Sequence, residues 1–196
     1  MKFRLKFGKK MLFAEFKILK FPSQSTMGIT NKTKNGYYLL FIDYDNVKKN
    51  IVFEDSEFFQ KHFGLGTSLI VKTSENLENH GVYGNYHLIF FDKLTFPDIM
   101  KFLTYARCDY AYRNGWKWHN RSWVLRIGEK RDLKNGIMTK PSPSFVALNY
   151  AKTNNVSSKA HILFYNVLLN IKIKIPKKND NTKVNDIQFI TYGSSK

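Results

Sequence analysis

The chain predicts an α+β domain: a mixed or antiparallel sheet core flanked by helices. Two short apolar runs, Leu39-Leu40-Phe41-Ile42 and Leu88-Ile89-Phe90-Phe91, are bounded by polar and turn-forming residues and read as buried strands. Helix signals fall between and after them: Gly64 and Gly66 close one segment, and Thr95 with Pro97 opens another. The resulting order of strand, helix, strand, strand, helix, strand describes a sheet with its helices on one side.

Residues 3–21 read as strand-like, since Leu12 to Leu19 partly alternates. Ser23 to Gly36 is polar and glycine-bearing and reads as a loop. Tyr37–Asp43 is a buried strand, Glu54–Phe63 a short helix and Ser68–Thr73 a strand. Asn76–Asn85, with Gly81 and Gly84, is a polar loop leading into a second buried strand, Tyr86–Phe91. Thr95 caps a helix running to about Arg107. Ser122–Ile127 and Ser144–Asn149 are strands, and Ser157 or Ser158 caps a helix through Leu169. Ile171–Ile175 and Ile187–Tyr192 read as closing strands, separated by the polar, Lys/Asn-rich loop Pro176–Asn185.

The 196 residues suit one domain, and a 43% hydrophobic, 16% aromatic composition supports a substantial core and excludes global disorder. The net charge of +17 points to a polyanionic partner, with a merely solubilising surface as the plainer reading. A single cysteine, Cys108, excludes an intramolecular disulfide framework and a multi-cysteine zinc site, so no zinc is expected. No apolar run approaches the roughly 18 residues of a membrane span, and the start lacks a signal-peptide core. A reducing, cytoplasmic setting fits, with no membrane partner.

The chemistry concentrates in a few places. Asp43 and Asp45 follow the first apolar run at i, i+2, which on a strand puts both carboxylates on one face. Such a pair is relieved by a divalent cation, and Mg²⁺ and Mn²⁺ prefer hard oxygen ligands. The plainer reading is a strand end rich in turn-forming acids. His87 follows Gly84 and opens the second apolar strand, where it can donate to a phosphate or be an ordinary half-buried histidine. Asp109 offers a third carboxylate or a turn cap. Arg126 and Lys130 can hold phosphates or lie on a surface strand. Arg113, Trp116, Lys117, Trp118 and Arg121 interleave aromatics with cations, which suits single-stranded nucleic acid; an aromatic packing loop is the alternative.

Taken together, these blocks resemble the archaeo-eukaryotic primase superfamily, including its plasmid and viral primase-polymerases. Phe41-Ile42-Asp43-Tyr44-Asp45 resembles the apolar strand ending in D-x-D. Asn85-Tyr86-His87 resembles its small-x-His element, Cys108-Asp109 its apolar-Asp, and Leu125-Arg126-Ile127-Gly128-Glu129-Lys130 its basic element. The resemblance covers about residues 37–170, leaving 1–36 and 171–196 as basic flanking strands and loops of one domain. It implies an RRM-like primase-polymerase catalytic fold. It further implies a DNA primase or polymerase that starts or extends a chain on a template by metal-dependent nucleotidyl transfer. Asp43, Asp45 and Asp109 would bind two Mg²⁺ or Mn²⁺ ions, and His87, Arg126 and Lys130 the incoming triphosphate. Expected partners are single-stranded or primed DNA template, nucleoside triphosphates and a separate helicase. A catalytically inactive DNA-binding replication initiator and a metal-dependent nuclease are the alternatives.

Overall fold

The apolar run at Leu39 divides the molecule, because its alternate residues enter two different cores. The computed structural model describes residues 2–7, 10–15, 24–75, 82–117, 121–152, 155–174, 187 and 189–194. Side chains are described for residues 24–74, 82–117, 121–152, 155–174 and 187. Leu40, Ile42 and Tyr44 pack with the first core, whereas Leu39 and Phe41 pack with the second. This is the period-2 alternation of a strand buried on both faces.

That strand, β4 (Phe41–Lys48), lies at one edge of a four-stranded antiparallel sheet with β6 (Tyr83–Phe90), β5 (Ser68–Glu75) and β10 (Ser144–Asn149), in the order β10-β5-β6-β4. Two helices cover its first face. Helix α1 (Lys49–Phe63) contributes Val52 and Phe59 and closes at Gly64. Helix α2 (Phe96–Tyr105) contributes Ile99, Phe102 and Leu103. It opens on a capping box: Thr95 Oγ1 accepts from the Asp98 N–H, while the Asp98 carboxylate accepts from the Thr95 N–H.

The second face packs on another antiparallel sheet, of β11 (Phe189–Ser194), β3 (Gln24–Thr30), β8 (Lys130–Asp132) and β9 (Met138–Lys140), with β7 (Val124–Arg126) also paired to β3. Ile29, Leu125 and Ile127 from this sheet meet Leu39, Phe41, Val71, Ile89 and Phe91 from the first. Helix α4 (Lys159–Leu168) adds Ala160, Ile162 and Tyr165 to the same core. Buried Asn31 fastens the two sheets: its side chain donates to the Leu39 carbonyl and accepts from the Trp123 N–H, both at 2.9 Å. A separate hairpin pairs β1 (Lys2–Phe7) with β2 (Lys10–Glu15).

The α+β architecture and most elements match the sequence, but several expectations are corrected. Ser23–Gly36 is not all loop: Gln24–Thr30 forms β3, paired with β11, β7 and β8. The helices do not share one side, since α4 packs in the second core and α1 and α2 in the first. The end of the expected Asn76–Asn85 loop already belongs to β6, and helix α1 begins five residues before Glu54. Residues 171–174 form no strand; Ile171 instead receives the C-terminal end of α4, its N–H donating to Asn166 O. Residues 16–21 and the Pro176–Asn185 loop lie outside the described residues. Among the described residues no helix is long and apolar enough to cross a membrane.

Candidate functional site

Where the inter-sheet core ends, its apolar residues give way to polar ones on the same strand faces. Along β4 the series Leu39, Phe41 continues as Asp43 and Asp45; along β6 the series Phe91, Ile89 ends at His87; along β5, Leu69 and Val71 lead to Thr73. Asp43, Asp45, His87 and Thr73 line one cavity of about 150 Å³, with Arg126, Lys130 and Lys140 from the second sheet opposite them. Thr26 and Val124 complete its wall.

Irregular pairing surrounds this cavity. The β4–β6 ladder shifts register between Tyr44 and Val47, where Asn46 takes a left-handed conformation at φ 54°. Its N–H donates to Asn85 Oδ1 at 2.8 Å, so Asn85, two residues before His87, supports the bulge. A second shift falls at Thr73, between Lys72 and Ser74, and a third between Lys130 and Arg131. Bulges interrupt ladders and re-aim side chains, and here three of them border one cavity. Gly84 serves strand packing: a Cβ there would meet the Ser74 carbonyl and the Tyr86 ring at 3.2 Å. The missing side chain thus permits the close approach of β5.

Asp43 and His87 are directly paired across β4 and β6, with Asp43 Oδ1 3.4 Å from His87 Nε2. Burial, then the nearby Asp45 charge, raises the Asp43 pKa to about 7, against the pull of Lys140 and Arg126. Burial, reinforced by the positive Arg126 and Lys140, lowers His87 to about 3. The contact is therefore not an ion pair at neutral pH, because the imidazole is uncharged there. It offers one N–H donor and one acceptor.

Arg126 is buried and holds three segments together. Its guanidinium donates to the carbonyls of Thr73, Gly128 (2.7 Å) and Pro141. Leu125 and Ile127 enter the core, which aims Arg126 at the cavity. Lys130 and Lys140 are direct partners across the β8–β9 hairpin. Behind the acids, Tyr44 points to the opposite face. Its hydroxyl donates to Asp55 Oδ2 at 2.7 Å, and Asp55 also accepts from the Arg107 N–H (3.1 Å) and Nε (2.6 Å). Burial and the Asp55 charge push the Tyr44 pKa well above its ordinary value, so it remains a phenol donor.

The other sequence-selected residues lie apart from this cavity's lining. Asp109 is the N-cap of α3 (Tyr110–Arg113): its Oδ2 accepts from the N–H groups of Ala111 (3.0 Å) and Tyr112 (3.3 Å). Its charge nevertheless contributes to raising the Asp43 pKa. Among the described residues no three His, Cys, Asp or Glu side chains group closely enough to hold a metal ion by themselves. Trp116 packs against Phe96 at 5.7 Å, with the Lys117 ammonium over its ring. Arg113 donates to the Ala106 carbonyl, and Arg121 is exposed. Trp118 lies outside the described residues.

Lys140, Thr26 and Thr73 were not selected from the sequence. A signal for Lys140 existed: Asn135-Gly136 is a hairpin turn sequence that folds residue 140 back beside Lys130. Gly136 takes φ 70° there, and the Asp132 N–H closes the turn on Ile137 O at 2.9 Å. Comparison of the chain with protein-family models, with curated proteins and with solved structures found no match.

Proposed function

We propose that the protein is a metal-dependent nucleotidyltransferase of the primase/polymerase type, which starts or extends a chain on a DNA template. One observation carries the reading: Asp43 and Asp45 face Arg126, Lys130 and Lys140 across a single small cavity. An acid pair beside a cluster of cations suits a divalent ion bridged to phosphates, and Mg²⁺ is commonly held by one or two carboxylates plus substrate phosphate oxygens. The donor set fits that ion, since Asp43 and Asp45 share one cavity and a bound cation would offset the burial and like charge that raise the Asp43 pKa to about 7. Asp43 and Asp45 would hold Mg²⁺ or Mn²⁺, which when bound would activate a 3′-hydroxyl and offset charge on the departing pyrophosphate.

The chain's own groups have distinct tasks. Lys130 and Lys140 bind phosphate oxygens as point charges, while Arg126 fixes the wall and adds positive potential. Neutral His87 positions Asp43 or donates to a phosphate. Asp109, engaged as a helix cap, would join as a third ligand only by leaving Ala111 and Tyr112. The topology supports the RRM-like expectation in part. In β4-α1-β5-β6-α2, β6 lies between β4 and β5 as in a split βαβ unit, although β7 joins the other sheet. The net charge of +17 supports a nucleic-acid partner.

Primer extension and de novo priming with Mg²⁺ or Mn²⁺ test the proposal. Wild type should incorporate nucleotides; Asp43→Asn and Asp45→Asn should not, while keeping their affinity for DNA. Template binding without incorporation by wild type would favour an inactive initiator, and cleavage of the template a nuclease.

A further inference from the structure

The 150 Å³ cavity is too small for the whole substrate just proposed, since pockets that take small molecules measure about 300–1,000 Å³. It has room for phosphates and an ion. A second cavity, of about 420 Å³, meets it at Thr73, which lines both. Arg126 joins their walls by donating to Thr73 O and to Pro141 O, and Pro141 lines the second cavity.

The chemistry changes across that shared wall. The first cavity is charged. The second offers more apolar than polar surface and is lined by Ser74, Thr139, Ser142 and Ser144 with Pro141 and Lys72, the Thr139 hydroxyl already donating to the Lys130 carbonyl. Hydroxyls both donate and accept, which suits the edges of bases and sugar hydroxyls, and a proline ring offers an apolar surface to a flat base. We propose that this second cavity is the nucleoside subsite: it receives the base and sugar of the nucleotide whose phosphates occupy the first. The inference rests on the phosphate-and-metal reading of the first cavity.

Binding titrations separate the two claims. The probes are inorganic tripolyphosphate and the four nucleoside triphosphates, each with Mg²⁺, on wild type and on Ser142→Phe. Residue 142 is exposed in the β9–β10 connection, where a phenyl ring fills space without entering either core. Wild type should bind at least one nucleoside triphosphate roughly tenfold or more tighter than tripolyphosphate. Ser142→Phe should erase that advantage while leaving tripolyphosphate affinity unchanged, which also reports that the variant is folded. Equal binding of both probes by wild type, or nucleotide affinity untouched in Ser142→Phe, would overturn the subsite alone. Nucleotide binding that Ser142→Phe removes, with no tripolyphosphate binding, would put a nucleoside in the second cavity but overturn the phosphate reading, and with it the proposal as stated. Failure of both probes on wild type would overturn both.

Discussion

At Asp43 a carboxylate shares a confined space with Asp45 and an uncharged imidazole, and this makes the residue a pH reporter. With its pKa near 7 in the absence of metal, cation binding must displace a proton below that pH. Apparent Mg²⁺ or Mn²⁺ affinity should therefore fall by up to about tenfold per unit below pH 7 and level off above it, as titration calorimetry would record. For stability, the folded-state pKa is raised, so the contribution is present below about 3.8 and is lost as pH rises through 7. His87 runs oppositely: its pKa is lowered to about 3, so its contribution is present above 6.5 and lost as pH falls toward 3. Comparing Asp43→Asn with wild type isolates the first. The metal-free variant should be more stable at pH 8 by about 1–2 kcal/mol, discounted because the side chain keeps 32% of its exposure. That gain should shrink as pH falls from 7 to 4; a gain independent of pH would contradict the assignment. Arg126→Ala is a stability variant before it is a functional one. It strips donors from the carbonyls of Thr73, Gly128 and Pro141 and should cost about 3 kcal/mol or more in urea unfolding.

Among the elements, the bulge in β4 sets how Asp45 is presented. Asn46 holds φ 54°, which glycine and asparagine tolerate and a β-branched residue resists. Asn46→Gly should leave thermal stability nearly unchanged, whereas Asn46→Val should cost about 1–2 kcal/mol and weaken Mn²⁺ binding as Asp45 shifts. The β8–β9 hairpin brings two cations to the cavity. Lys130→Ala with Lys140→Ala should reduce tripolyphosphate affinity without lowering the melting temperature, because both side chains are only half-buried. How much of this was legible depends on what each strand faces. β4 and β6 are covered on both sides, so they show as apolar runs, and the acids at the end of one and the histidine at the start of the other mark the site directly. β3 carries Gln24, Ser25, Thr26 and Gly28, which reads as loop, because part of it lines a polar cavity and adjoins Arg126. β8 and β9 are three residues each and largely exposed, so no periodicity could show them, and only Asn135-Gly136 marked the turn. Asp109 follows an apolar residue, a pattern shared by the expected ligand and by the helix N-cap that the structure shows.

For the whole molecule, a charge of +17 would make long-range attraction the leading contribution to affinity for the nucleic acid proposed as its partner. If about five phosphates are neutralised, the log–log slope against salt should be roughly −3.5 on single strands and −4.5 on duplex, measured by anisotropy. A flat response would leave the charge as a solubility device. The Trp116 ring packs on Phe96 with the Lys117 ammonium over it, which gives it a structural role whatever it binds. Trp116→Ala should accordingly lower stability more than strand affinity, which paired unfolding and binding measurements would show. The last consequence comes from the rear of β4. Tyr44, between the two acids, is tied to Asp55, and Asp55 to Arg107, so the strand is anchored to α1 and to the segment after α2. A flexible strand would answer repulsion between Asp43 and Asp45 by splaying. This one is braced from behind, so relief comes through chemistry rather than movement: Asp43 takes up a proton near pH 7, and the proposed cation would serve the same end. Hydrogen exchange should find the amides of Asp43 to Asp45 slow with or without Mn²⁺, a site whose ionic state changes while its frame stands still.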